Sequence, residues 1–176
     1  MVINCAEKER VTPRFIVFLA ALMVLDHFLT WLVTAWSTGV SLVQVLGHYD
    51  SSWYNTIIRE GYSGKNWAFF PLYPALVKII QIVTFEVLPS HVTGTILSTF
   101  FFAAFCMCAA RLSDKTGITG TMLVPVTRFG WFCFVYAPAS FVFHSHHTES
   151  LFLLLSFGAF FFTFKGNWPT AGVFAG

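Results

Sequence analysis

Apart from Asp26 and His27, residues 15–38 are all apolar or hydroxylated, with no Lys or Arg among them. At about 1.5 Å per residue, a run of this length crosses the roughly 30 Å of hydrocarbon in a bilayer. Lipid offers the backbone no hydrogen-bond partner, so such a run is expected to be helical. Residues 92–110 and 122–143 repeat the pattern, the latter interrupted by Arg128, and residues 148–164 are just long enough to qualify. Only 10% of the chain is charged and 56% is hydrophobic, against about 25% charged in an ordinary soluble domain. The expected fold is therefore all-α: a polytopic transmembrane protein with about four spanning helices. No repeat or linker divides it, so residues 1–176 are read as one membrane domain.

Arg10 and Arg14 precede the first apolar run as they would in a signal peptide. The run is about twice the usual length of such a core, however, and no small-residue cleavage site follows it, so it reads as a retained anchor. Cys5, Cys106, Cys108 and Cys133 form no CxxC pair, and the last three act as small hydrophobes within apolar runs. A net charge of +2 without a basic cluster excludes nucleic acid as a partner. At the other end, Trp168-Pro169 followed by apolar residues reads as the start of a further helix.

The placement of residues 72–89 decides the topology. If they span, the inner breaks keep only Lys8, Arg10 and Arg14, while Arg59, Lys65, Arg111, Lys115, Arg128 and Lys165 lie outside. If they lie along the membrane surface, Arg111, Lys115, Arg128 and Lys165 move inside, which the positive-inside rule favours. The loop holding Asp50 and the break from His144 to Glu149 then share the outer face. The long first outer segment is expected to carry short interfacial helices. One begins at Asp50-Ser-Ser and ends at Gly61. Beyond it, Pro71 and Pro74 prevent a straight spanning helix.

Three polar constellations stand out. Asp50, beside Tyr49, Trp53 and Tyr54, is either a helix cap or a general base at a sugar site, where rings stack on aromatics. His144, His146, His147 and Glu149 form a metal set, a polar turn, or a site at which His146 and His147 donate to a phosphate. The expectation is that no metal or cofactor is held there. Asp26 and His27 lie mid-helix, where an ionised Asp costs about 2.5–3.5 kcal/mol. Both are therefore expected to face protein, at a depth that keeps them away from Asp50.

Taken together, Tyr49-Asp-Ser-Ser-Trp-Tyr54, Ile58-Arg-Glu-Gly-Tyr62, Ala68-Phe-Phe-Pro-Leu-Tyr-Pro74, Ala137-Pro-Ala-Ser140 and Thr148-Glu-Ser-Leu-Phe152 resemble the PIG-V family of polytopic mannosyltransferases. Order and spacing are similar over about two thirds of the chain, which corresponds to the N-terminal part of the longer family members. The chain has Tyr49 where the family usually has Trp, and His147 where it usually has Tyr. The resemblance implies a GT-C-like fold and a polyprenyl- or dolichyl-phosphate sugar as donor, with transfer to a glycan or lipid acceptor. It places Asp50 at the family's catalytic acid and Glu149 at the acidic position of the second outer loop. The wording of the motifs is closer to bacterial members, implying a bacterial plasma membrane rather than the endoplasmic reticulum, with the site on the outer or lumenal face.

One base suffices for such chemistry. A glycosidase needs an acid because its leaving group is a poor alkoxide, whereas a lipid phosphate departs as a stabilised anion. Asp50 would deprotonate the acceptor, inverting the anomeric carbon. Arg59, Lys65, His146 and His147 are the candidates for the phosphate, and Trp53, Tyr54, Phe70 and Tyr73 for sugar and lipid contacts. The alternative is a non-catalytic membrane component, such as a lipid-binding subunit or transporter fragment, in which Asp50 only caps its helix.

Overall fold

The computed structural model describes residues 11–47, 50–116, 127–137 and 139–176, with the side chains of residues 110–116 outside the description. Among these residues every regular element is helical. Helix α1 (Pro13–Thr38) starts where the Thr12 hydroxyl accepts the Phe15 N–H at 3.2 Å, and it has Pro13 in its first turn. It ends at Gly39, whose φ of 68° is the left-handed conformation that glycine adopts without penalty. After the short α2 (Leu42–Val45), α3 (Ser51–Glu60) runs to Gly61, with φ 86°. α4 (Leu72–Val83) leads into α5 (Ser90–Thr116), followed by α6 (Arg128–Val135) and the hairpin of α7 (Glu149–Phe164) and α8 (Trp168–Ala175).

Helix α1 and the Ser90–Ala109 part of α5 are long and apolar enough to cross a membrane. Phe18, Leu25, Val33 and Trp36 of α1 point away from the chain's own core. At about 18 Å, α4 is too short to cross. It buries Tyr73, Pro74 and Val77 on one side and exposes Leu72, Ile79, Ile82 and Val83 on the other.

Two apolar clusters hold the helices together. The first joins Ile16, Leu19 and Met23 of α1 to Phe102 and Phe105 of α5, Trp131 of α6 and Phe157 of α7. The second joins Tyr54 and Ile58 of α3, Tyr73 and Val77 of α4, and Leu151 of α7. It ties the first polar segment to the helices that follow. The α7–α8 hairpin closes over Gly158, where an added Cβ would lie 2.3 Å from the Phe174 ring.

Two expectations are corrected. Residues 122–143 are not one helix: the described part is helical over Arg128–Val135, turns at Tyr136, and resumes as a 3-10 helix at Ser140–His144. Pro138 follows in the sequence and disfavours helical geometry at Ala137. Residues 117–126 lie outside the description. Asp26 and His27, expected to face protein together, do not. Successive helical residues diverge by about 100°, so His27 is half-buried while Asp26 is exposed.

Candidate functional site

Asp50 sits immediately before α3, but its side chain makes no capping hydrogen bond. A capping residue normally has extended dihedrals, which swing its oxygen back onto the first turn. Asp50 has helical values, φ −64° and ψ −13°, so its exposed carboxylate stays free of the helix end. The next residue does the anchoring. Ser51 is fully buried and donates from Oγ to the backbone carbonyl of His146 at 3.2 Å. This contact joins the first polar segment to the histidine loop.

Around that junction, burial shifts two side chains, and the negative charges of Glu149 and Asp50 bear on both. The Tyr54 hydroxyl is pushed above its ordinary range, first by burial and then by the negative charges of Glu149 and Asp50. His147 is pulled below its ordinary range by burial, while Glu149 and Asp50 oppose the shift. Glu149 is the first residue of α7, where the helix dipole favours a negative charge. Its Oε2 is buried without a hydrogen-bond partner among the described residues. Trp53, 40% exposed, stacks on Phe69 with ring centroids 6.2 Å apart. Asp50 and Trp53 thus form the accessible part of the site, over a floor of Tyr54, His147 and the buried Oε2 of Glu149.

The three loop histidines diverge. The His144 ring packs against His27 at 4.3 Å and Trp31 at 5.3 Å between centroids. The histidine loop therefore reaches α1 and packs against His27 and Trp31. His146 Nδ1 meets the Tyr73 hydroxyl at 3.0 Å, and His147 Nδ1 meets Ser145 Oγ at 2.8 Å. Among the described residues no group of three or more His, Cys, Asp or Glu is arranged to hold a metal.

This arrangement changes several of the expected roles. His146 is fully buried, and burial lowers its pKa to about 3, so it is neutral and has no open face for a phosphate. Tyr73 is also fully buried, its hydroxyl shared among Gly94 O, Ser98 Oγ and His146 Nδ1. It is a scaffold residue. Tyr54, 3% exposed, packs edge-on to Phe69, Tyr73 and His146 and serves the site from beneath. Phe70 is 80% exposed. Lys65 is exposed on the 3-10 helix Gly64–Ala68, a segment held by Asn66 Oδ1 accepting from the Ser63 N–H. Arg59, near the other end of α3 from Asp50, lines a separate groove. His48 and Tyr49 lie outside the described residues.

Sequence reasoning missed three supporting residues: Ser51, Gly94 and Ser98. Ser98 donates to the His147 carbonyl at 2.8 Å. A Cβ on Gly94 would fall 1.7 Å from His146 Nδ1. Gly94 and Ser98, four apart on α5, mark a face of small residues that let another segment approach. That spacing was the available signal. No family model, curated protein or solved structure matches the chain.

Proposed function

We propose that this chain is part of an integral membrane glycosyltransferase of the GT-C type, using a polyprenyl- or dolichyl-phosphate sugar as donor and Asp50 as general base. The observation that carries the reading is the buried Ser51–His146 hydrogen bond, which brings the segment of Asp50 against the loop that leads into Glu149, 99 residues further along the chain. The missing cap bond adds to it, because a carboxylate not engaged by its helix is available to an acceptor hydroxyl. The motif resemblance supplies the substrate class: a lipid-linked sugar donor, mannose in the PIG-V family, and a glycan or lipid acceptor.

In this reading Trp53 provides the face on which the sugar stacks. The acceptor oxygen attacks the anomeric carbon as its proton passes to Asp50. The bond from that carbon to the phosphate oxygen breaks, and the lipid phosphate leaves with the electron pair. Neutral His147, held through Nδ1 by Ser145 Oγ, presents its other ring nitrogen as an N–H toward the departing phosphate, with Glu149 nearby in sequence. The site faces the outer side of a bacterial plasma membrane.

The test is Asp50→Asn in the protein expressed from its native gene, assayed in membranes with radiolabelled polyprenyl-phosphate mannose. Loss of a general base typically slows turnover by about 10²- to 10⁴-fold, with folding and donor binding retained. Near-normal transfer by Asp50→Asn removes the base from the mechanism.

A further inference from the structure

Between α3, the C-terminal half of α4 and the start of α5 runs a groove of about 660 Å³. Arg59 reaches it from α3 and Lys78 from α4, while Glu86 is the single carboxylate among its described lining residues. Cations from two separate helices converging on one concavity leave a local positive excess suited to an anion. Helix α5 opens into the same groove at Ser90, adding the positive end of its dipole.

The rest of the wall identifies the kind of anion. Ile82 and Leu88 line the groove, and both are exposed. Next to them, Val83, Phe85 and Val87 are 70%, 90% and 76% exposed. Consecutive residues Phe85 and Glu86 adopt left-handed dihedrals, φ 53° and 57°, which form the turn carrying this apolar rim past the cations. A free phosphate has no use for such a rim, whereas a lipid headgroup with its acyl chains uses both parts.

The groove is also separate from the proposed donor phosphate. Arg59 lies about 13 Å along the α3 axis from Asp50. The donor phosphate is bonded to the carbon under attack and must lie close to the base. We propose that this groove binds the phosphate of an anionic phospholipid, ion-paired to Arg59 and Lys78, with its acyl chains against Ile82 and Leu88. The site stands whether or not Asp50 is a base.

The experiment is energy transfer from tryptophan to pyrene-labelled phosphatidylglycerol or phosphatidylcholine, with the purified chain in phosphatidylcholine vesicles. The expected result is a preference of about tenfold or more for the anionic lipid. Arg59→Gln with Lys78→Gln should abolish that preference while helix content by circular dichroism is unchanged. Arg59→Lys should keep most of it, and Asp50→Asn all of it. Equal enrichment of the two lipids, or a preference that survives the double substitution, overturns the proposal. Displacement of the lipid by millimolar inorganic phosphate overturns the lipid assignment in favour of a free-anion site.

Discussion

The Ser51 hydroxyl donates to the His146 backbone carbonyl across 95 residues of sequence, at 3.2 Å and out of contact with solvent. Asp50 precedes one partner and Glu149 follows the other by three positions, so this buried bond ties together the two segments that carry the carboxylates. Removing it without changing shape is the most direct probe of the site's construction. Ser51→Ala leaves the His146 carbonyl without this donor, at a cost of about 1–3 kcal/mol. Thermal unfolding in lipid nanodiscs should register the loss. An unchanged midpoint would mean the two loops are held by packing alone.

Gly94→Ala should be damaging for a steric reason. The new methyl would sit 1.7 Å from His146 Nδ1, so the ring must leave its position beside Tyr73. Overpacking of this kind typically costs about 1–3 kcal/mol. Combining Gly94→Ala with His146→Ala should cost less than the sum of the two, because the second change vacates the space the first requires. Additive losses would place the clash elsewhere.

The buried histidine predicts acid sensitivity with a defined sign. His146 has a pKa near 3 in the folded chain against an ordinary 6.5, so between those values the unfolded state binds more protons. Stability is complete above about pH 6.5 and falls as the pH drops toward 3, and His147 shifts in the same direction. From about pH 6.5 to about pH 5 the His146 contribution amounts to at most about 2 kcal/mol. His146→Gln should reduce that slope in melting curves collected across the range, the remainder coming from His144 and His147, which burial shifts the same way. A slope unaltered by the substitution would assign the acid sensitivity to other groups.

Trp53 separates binding from turnover. As the half-exposed aromatic at the mouth of the site, its truncation to Ala should raise the KM for the sugar donor several-fold, in keeping with about 0.5–1.5 kcal/mol for a ring contact. A fall in kcat at constant KM would instead make Trp53 part of the reacting geometry.

The membrane-length helices were legible in the sequence because that property is nearly one-dimensional: an uninterrupted apolar run of sufficient length has to be helical in lipid, whatever it packs against. Local signals were legible for the same reason. Gly61 stops α3, and Trp168-Pro169 opens α8. The break after Val135 was hidden, because an apolar run looks continuous even where its sequence contains a proline, which disfavours helical geometry at the residue before it.

The direction in which each polar side chain points was settled only by the tertiary structure. His144, His146 and His147 are near neighbours in sequence, yet their rings go to His27, Tyr73 and Ser145. What separates them is the path of an irregular loop and the space left by Gly94 on another helix. A cluster of histidines read along the chain therefore suggested one anion site. Burial instead kept His146 neutral and enclosed, and left Asp50 and Trp53 exposed.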